Sequence, residues 1–365
     1  MNSTAAIAHF RQLCCLGIDS QTAMPSLLPA LRRLVGSTNT VFSWADDRGD
    51  IVNVYVDQPI PQTVASAFFS QFVNDRANNY SAIGLRNFKQ PGRMVYNSAQ
   101  VFPKTFYRSE MYEMVWQPAQ SDKLLWAAVP DNRGRPHGIG LTRMMGDPSF
   151  SQRDEQILGQ LLPYLMHAVS APDKGPSELV ESGESGLIIV NAIGQVQHQS
   201  PESHRLLVLA AHPRLATGHV DWRSDQLISV ILTKLRQNLA ALMTGNPVPP
   251  PGWAQENRWG RFAFRAFPLA PTEDSGNPLV AILIERQVPI QLALMKGMQQ
   301  LPLSIKQKQV CLLLAEDLSY RTIADRLHIK PNTVIDHVRK IYDKMDVRSH
   351  EELRKKLLHQ PHGSN

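Results

Sequence analysis

Cysteines and long apolar runs are scarce in this sequence. Its 365 residues include 3 cysteines, Cys14, Cys15 and Cys311, which are too few for a disulfide framework and form no CxxC or His/Cys metal motif. We expect all three to be small buried side chains. No stretch approaches the roughly 20 consecutive apolar residues that span a bilayer, and the first residues lack the basic, apolar and cleavage segments of a secretory signal. These absences predict a cytoplasmic protein without a membrane partner.

The short motifs of common catalytic sites are also missing. There is no GxSxG nucleophile elbow, no phosphate-binding glycine loop ending in Lys-Ser or Lys-Thr, and no HExxH metal motif. His198, His204 and His212 are scattered through a polar stretch, which is more typical of surface histidines than of a haem or metal site. We therefore predict a protein that is not an enzyme and has no cofactor. The alternative is an enzyme, or a haem- or ligand-dependent sensor, in residues 1–290 with the C-terminal region as its output.

The length predicts more than one domain, since 365 residues exceed what a single core usually organises. In the first segment, helical apolar spacing from Leu13 to Val35, interrupted near Pro25, precedes several strand-like runs. The runs include TVFSWADD, GDIVNVYV, LLWAAVP and HGIGLTRM, with a turn at DNRGRP between the last two. A final helix is predicted from Phe150 to Val169 with Ser151 as its cap. Mainly through this closing SFSQRDEQILGQLLPYLMHAV, residues 1–170 resemble a GAF-like sensor domain, a small ligand-sensing α/β module.

Several aromatic side chains belong to this first segment. They are more typical of a packed core than of a ligand cage, because large rings gain much by burial. The set comprises Trp44, Tyr55, Phe68, Phe69, Phe72, Trp116 and Trp126. A small-molecule ligand of the first segment is therefore a candidate partner without an assigned site.

A change in composition marks the next boundary. Residues 171–185 are poor in apolar side chains and rich in Pro, Ser, Gly and Glu, which predicts a linker. In residues 186–288, LIIV and VQHQ flank a turn, a helix follows at SPESHRLLVLAA, and GRFAFRAFPL and LVAILIE form a second predicted strand pair. This order resembles a PAS-like domain. Residues 289–300 are predicted to be a helical connector, in which Leu292, Met295 and Met298 share one face and indicate a dimer contact.

The last segment has the pattern of a helix-turn-helix. Ser304 and Ser319 are placed to cap two successive helices, and Pro331 begins a third after the short turn His328-Ile329-Lys330. Such spacing brings the second and third helices together at a steep angle, the arrangement in which the third enters a DNA major groove. Residues 301–358 contain 12 Lys or Arg against 8 Asp or Glu, so they hold +4 of the chain's formal charge of +6. A basic excess of this kind is expected of a segment that binds a polyanion.

The third helix is predicted to be apolar along one edge only. At about 100° per residue, Val334, Val338, Ile341 and Met345 form one narrow stripe that must face the protein. The first turns of a recognition helix approach the base edges, so we assign direct readout to Ile335, Asp336 and Arg339. The side chains assigned to phosphate contacts are Thr322, Lys330, Asn332, Thr333, His337, Lys340 and Lys344.

The run SIKQKQVCLLLAEDLSYRTIADRLHIKPNTVIDHVRKIYDKMDVRS resembles the LuxR-type DNA-binding domain in length, order and core residues. The matching positions are Ile323-Ala324, Leu327, Thr333-Val334, His337 and Val347-Arg348. The resemblance implies four helices, homodimeric binding to inverted-repeat sites and dimer contacts along residues 351–358.

Some positions depart from the family pattern. Asp317 and His328 stand where glycine is usual, and Lys330 replaces the usual capping Ser or Thr. Ile335-Asp336 lacks the basic residue often found there, so the family's base preferences are not carried over.

The sequence thus predicts a multidomain α+β protein, with GAF-like and PAS-like α/β sensor modules and an all-α LuxR-type helix-turn-helix at residues 301–358. Its predicted function is sequence-specific binding of double-stranded DNA as a transcription regulator, modulated by the N-terminal modules. The predicted partners are DNA and a second copy of the chain. RNA polymerase and an unidentified small molecule are further candidates.

Overall fold

The computed structural model describes residues 3–75, 94–171, 178–191, 193–215, 229–231, 233–235, 252–269, 279–299 and 301–358. These residues form two five-stranded antiparallel sheets with helices packed on them, followed by a helical C-terminal part. The coarse α+β architecture predicted from the sequence is thereby confirmed.

Two helices open the chain, α1 (Ser3–Cys14) and α2 (Ser20–Val35). They are separated at Gly17, whose φ is 68°, and α2 begins after Asp19, whose carboxylate accepts a backbone hydrogen bond from the first turn. The predicted interruption near Pro25 is wrong, because α2 continues through both Pro25 and Pro29. The apolar side chains that α2 buries outweigh the backbone donors that its prolines lack.

The three cysteines differ in exposure. Cys14 and Cys311 are buried, as expected, whereas Cys15 is exposed. Cys14 is the last residue of α1, and Cys15 lies in the turn that follows it, where side chains are more often exposed. The prediction of burial is wrong for Cys15.

The first sheet has the strand order β2-β1-β5-β4-β3. Its strands are β1 (Asn39–Ala45), β2 (Ile51–Val56), β3 (Val95–Asn97), β4 (Ser121–Pro130) and β5 (Pro136–Met144). The short helices α3 (Gln62–Ala67) and α4 (Ser98–Val101), a 3₁₀ turn (Lys104–Arg108) and two π-helical turns (Phe68–Phe72 and Tyr112–Trp116) lie between its strands in the chain. Helix α5 (Gln152–Val169) packs with α2 on one face, and Ser151 caps it as predicted, in a capping box with Asp154. The opposite face packs against α3 and the two π-helical turns.

The second sheet has the strand order β7-β6-β10-β9-β8. Its strands are β6 (Leu179–Asn191), β7 (Val196–Gln199), β8 (Gly252–Asn257), β9 (Gly260–Leu269) and β10 (Leu279–Pro289). Helix α6 (Pro201–Ala211) packs so closely on β6 that a Cβ on Gly186 would lie 2.4 Å from Ser203 Cα. The predicted pairing of LIIV with VQHQ is confirmed by the β6–β7 register.

The predicted linker at residues 171–185 is too long. Strand β6 begins at Leu179, where it pairs with Pro289 of β10. An irregular register opposite Glu285–Gln287 lets the polar stretch stay in the sheet, with Ser182 buried and Gly183 at a φ of 75°. The low apolar content of this stretch predicted a linker. The prediction failed because local composition does not reveal that the stretch pairs with a strand about 100 residues away along the chain. Residues 172–177 lie outside the described residues.

The two sheets share one continuous hydrophobic core. Trp259 is fully buried where they meet, with its ring centroid 5.7 Å from that of Trp44 and 5.5 Å from that of Tyr55. Its indole N–H donates to the carbonyl of His212 at 3.0 Å. Buried Arg286 adds a polar link by donating to the carbonyl of Thr22 at 3.0 Å.

Helix α7 (Ile290–Gly297) connects the second sheet to the C-terminal helices. Leu292, Met295 and Met298 are all buried, in contact with the chain's own core. The prediction that this face makes a dimer contact is therefore wrong. An amphipathic pattern predicts that a face is covered, but it does not distinguish a second copy from another part of the same chain.

The described residues include no helix that is both long and apolar enough to cross a membrane. No three His, Cys, Asp or Glu side chains among them converge as a metal-ligand set. His198 lies on β7, His204 lies on α6 and His212 follows α6.

Candidate nucleic-acid interface

Four helices follow the connector, α8 (Ile305–Ala315), α9 (Tyr320–Leu327), α10 (Pro331–Met345) and α11 (His350–Leu358). Ser304 caps α8 in a capping box with Gln307, and the side chain of Ser319 accepts from Thr322 N at the start of α9. Both caps were predicted. They fix the starts of these helices by satisfying backbone donors that have no partner inside the helix.

The turn between α9 and α10 has the left-handed backbone that glycine usually provides. His328 has a φ of 52° and a ψ of 48°, and its backbone N–H donates to the carbonyls of the preceding turn. Asp317, the other residue at a usual glycine position, has a φ of 55°. His and Asp adopt this conformation better than most side chains. The departures from the family pattern are therefore compatible with the turns.

Helix α10 buries one narrow stripe. Val334, Val338, Ile341 and Met345 are each at most 4% exposed, as the angular analysis predicted. They pack in the same core as Val310 of α8 and Ile323 of α9. Because α8 and α9 hold the stripe from one side, the opposite side of α10 faces outward.

The three residues assigned to base readout stand on that outward side. Ile335 is 48% exposed, an unusual position for an isoleucine, and Asp336 and Arg339 are also exposed. Within the part of the chain that the structure describes, Arg339 and Lys340 enter no ion pair. Their charges are therefore available to a nucleic acid.

The residues assigned to phosphate divide by exposure. Thr322, Lys330, Asn332 and Lys340 are exposed, and Thr333 and His337 are half-buried. Thr322 Oγ1 lies 2.8 Å from Ser319 Oγ, at the exposed start of α9. All six lie on α9, on α10 or at the start of α10, so the structure brings them to the same two helices as the base-facing set.

Lys344 differs from this group. Its Nζ donates to the carbonyl of Pro302 at 2.7 Å and to Gln307 Oε1 at 3.0 Å. The ammonium thus ties the end of α10 to the start of α8, a contact that the sequence pattern did not indicate. Its assignment to phosphate stays a prediction.

Two further exposed side chains adjoin this surface. Tyr320 is 40% exposed and Arg321 is exposed, both in the first turn of α9 beside Thr322. Sequence reasoning assigned neither of them to DNA. Their position directly after the Ser319 cap is the signal that identifies them, since it puts them at an exposed helix N-terminus, where phosphate is favoured.

The C-terminal helices are held against the rest of the chain. A Cβ on Gly297 of α7 would lie 2.0 Å from the carbonyl oxygen of Leu357, so α7 and α11 touch backbone to backbone. Gln291 Nε2 donates to Glu316 Oε1 at 3.1 Å, and Gln12 Nε2 of α1 donates to the carbonyl of Ile305 at 3.2 Å. These contacts do not cover the outward side of α10.

The residues of this site match a known protein family. Residues 301–356 match the family model described as bacterial regulatory proteins, luxR family. No curated protein matches the chain.

Three solved structures resemble the chain at low sequence identity. Two are of VqmA from Vibrio cholerae: a dimer without target DNA (15% identity, 48% of this chain, 81% of that chain, TM-score 0.18) and a complex with ligand and DNA (15%, 49%, 83%, TM-score 0.19). A third is the Escherichia coli DhaR(N)–DhaL complex (13%, 78%, 90%, TM-score 0.25).

The matched residues span α8, α9, α10 and all but the last two residues of α11. Residues 301–356 are therefore a luxR-family helix-turn-helix domain, and the protein is a DNA-binding transcriptional regulator.

Proposed function

We propose that this regulator acts in the bacterial cytoplasm as a homodimer on an inverted-repeat DNA site, with α10 of each copy in the major groove. The observation that carries the proposal is the division of α10 into a fully packed stripe and an exposed polar side. Two copies related by a twofold axis would place their recognition helices in half-sites one helical turn apart, or a multiple of it.

The exposed residues of α10 have distinct proposed roles. Arg339 pairs with guanine O6 and N7, Asp336 accepts from cytosine N4, and Ile335 contacts a thymine methyl. The phosphate contacts that position the helix are proposed for Thr322, Lys330, Asn332, Thr333, His337, Lys340 and Lys344, with Arg321 added from the structure.

Helix α11 supports the proposed dimer. Its first turn carries Glu351 and Glu352, and its last turn carries Lys355 and Lys356. Two copies of this helix packed antiparallel about a twofold axis would set the acidic end of each against the basic end of the other. The charge pattern is therefore self-complementary, as an isologous interface requires.

We further propose that the two sheets are sensor modules, GAF-like up to residue 170 and PAS-like from β6 to β10, that modulate DNA binding. Two five-stranded antiparallel sheets with packed helices support this assignment. RNA polymerase is a proposed partner because regulators act on transcription through it.

Connector α7 is the proposed route of modulation, since it contacts both the second sheet and the DNA-binding domain. Lys296 pairs with Glu184 of β6, and the next residue, Gly297, touches α11. A shift of the second sheet that moves Lys296 would therefore move the helix proposed to form the dimer.

The test is selection of genomic fragments on the purified full-length protein, followed by a titration of the recovered site. We expect an inverted repeat, affinity that falls steeply with salt, and binding at least about tenfold weaker to a duplex with one half-site destroyed. Sedimentation of the complex should give two chains per site. Salt-independent binding, or equal affinity for the full site and the half-site, would contradict the proposal.

A further inference from the structure

The first sheet has a cavity on the face away from α2 and α5. It is partly open to solvent and has a volume of about 150 Å³. Its floor is the sheet and its cover is formed by α3 and the two π-helical turns. The cavity is remote in the chain from α10 and plays no part in the DNA interface.

The floor is kept low in its centre by glycine. Gly138 and Gly140 of β5 line the cavity, opposite Ser43 and Val41 of β1 in the strand register. A Cβ on Gly140 would already lie 3.0 Å from Val41 Cγ1. A larger residue at this position would raise the floor into the space, so the sequence keeps the space open.

The cover is built from irregular backbone. Phe68 and Phe69 belong to one π-helical turn, and Val115 and Trp116 belong to the other. Such turns make up well under 1% of residues in globular proteins and often occur at functional sites. Gln120, between two lining residues, has a φ of 53°. Three uncommon conformations around one cavity indicate a site rather than a packing fault.

The lining chemistry restricts what the cavity binds. None of the described residues that line it is Asp, Glu, Lys, Arg or His, so a charged ligand would be buried without a partner. Aromatic rings supply much of the wall, among them Phe68, Phe69, Trp116 and Trp126. They were expected to be core, and they are largely buried, but they also border this space.

Two hydroxyl groups lie at opposite ends of the floor. Ser43 pairs with Gly138 and Thr142 pairs with Asn39, so the two side chains are four residues of β5 apart, about 13 Å along the strand. Both line the cavity, and neither hydroxyl has a hydrogen bond within the described residues. They can serve a polar substituent at either end of a bound molecule.

The volume of the cavity fits a single ring, since an apolar protein cavity of about 150 Å³ admits benzene. We propose that the cavity between the first sheet and the two π-helical turns binds an uncharged molecule with a single aromatic ring and a small hydrogen-bonding substituent. This inference deepens the proposed sensor role and rests on it for its regulatory meaning. The ring packs edge-to-face against the wall aromatics, and the substituent meets Ser43 or Thr142.

The test uses the full-length protein and three matched probes, benzyl alcohol, benzoate and cyclohexylmethanol, in calorimetric titrations. We expect saturable binding of benzyl alcohol and at least about tenfold weaker binding of benzoate, whose charge has no partner in the cavity. Cyclohexylmethanol should bind more weakly than benzyl alcohol. Equal affinity for benzoate or cyclohexylmethanol, or no saturable binding of benzyl alcohol, would overturn the proposal.

Cavity-filling variants locate the site. Ser43→Leu fills the space from the floor and Ala119→Leu fills it from the cover, so each should weaken benzyl alcohol at least about tenfold. Ser66→Leu, on the exposed side of α3, is the matched control and should bind like the wild type. A cooperative urea unfolding transition shows that a variant is folded, and two opposite walls keep the test open if one variant fails. Binding that neither variant weakens would place the ring elsewhere and overturn the proposal.

A parallel titration of DNA separates this inference from the regulatory one. A change in DNA affinity when benzyl alcohol saturates the wild type, absent in the cavity-filling variants, supports both. Ring binding with unchanged DNA affinity supports the site and overturns the sensor role of the first module.

Discussion

Arg339 is exposed on α10 and enters no ion pair within the described part of the chain. We expect Arg339→Ala to relax the choice of base at one position by about 5- to 150-fold, the equivalent of 1 to 3 kcal/mol. The measurement is a titration against all four base pairs at each position of the selected site.

Two other substitutions serve as a comparison and a control for Arg339→Ala. Lys340→Ala should weaken binding to every DNA sequence equally, because a phosphate contact carries no base information. It should also reduce the slope of log affinity against log salt concentration by about one. Arg153→Ala removes an exposed arginine of α5 and should change neither. If Arg339→Ala and Lys340→Ala each lost the same affinity for every sequence, the assignment of Arg339 to a base contact would be wrong.

His9 gives stability a dependence on pH. Burial, with the neighbouring charges of Lys308 and Arg33, lowers the pKa of His9 from 6.5 to about 4. Above pH 6.5 the side chain is neutral both folded and unfolded. Below it the unfolded chain gains a proton that the folded chain refuses until about pH 4, so up to about 3 kcal/mol of stability is lost across this window.

The variant His9→Leu should lose less stability between pH 6.5 and 4 than the wild type, as measured by urea unfolding at several pH values. His9 Nδ1 has no hydrogen-bond partner among the described residues, so leucine breaks no bond there. His167→Leu, at an exposed site of α5, should keep the wild-type slope. If the unfolding free energy of His9→Leu fell with pH as steeply as that of the wild type, His9 would not be a buried neutral side chain.

Among the helices, α7 and α11 meet at Gly297. We expect Gly297→Ala to force them apart, because the added methyl carbon would lie 2.0 Å from the Leu357 carbonyl oxygen. The cost of such overpacking is about 1 to 3 kcal/mol. Hydrogen exchange in α11 and the midpoint of unfolding both report it.

Gly159→Ala is the matched control for that variant. Gly159 is also helical, but its added carbon would meet only Val95 Cγ2, at 4.0 Å. Alanine there should raise helix stability by up to about 1 kcal/mol. If the two variants were equally stable and exchange in α11 were unchanged, the contact between α7 and α11 would not exist in solution.

The elements that the sequence predicted well carry their own signals. The Ser304 and Ser319 caps, Pro331 and the apolar stripe of α10 are all local, and the four C-terminal helices match them. The start of β6 and the partner of α7 were mistaken because each depends on contacts distant in the chain. The alternating pattern of GRFAFRAFPL places Phe262 and Phe264 on one buried face of β9, whereas Phe267, three residues further on, lies on the other face and is 44% exposed.

At the scale of the whole molecule, Glu184 joins three segments. It pairs with Arg286 of β10 at 2.9 Å, with Arg205 of α6 at 3.3 Å and with Lys296 of α7. Burial alone would raise the pKa of Glu184, but these three cations hold it well below its usual range. No sequence pattern indicates this cluster, because its members lie up to 112 residues apart.

We expect Glu184→Gln to lower the free energy of unfolding by about 3 kcal/mol, since it leaves the fully buried Arg286 without its counter-charge. Urea unfolding measures the loss. Glu256→Gln, an exposed change of the same kind on β8, should leave the midpoint in place. Equal midpoints for the two variants would mean that the cluster contributes nothing to cohesion.

Trp259, between Trp44 and Tyr55, is also an intrinsic fluorescence probe of the contact between the two modules. Water has no access to this indole while the two modules stay together, so their parting would shift its emission to the red. Residues 301–358 contain no tryptophan. All six tryptophans precede residue 301, so rearrangements confined to the helices that bind DNA would leave the tryptophan emission unaltered. The difference between the wild type and Trp259→Phe isolates the part of the emission that reports contact between the modules.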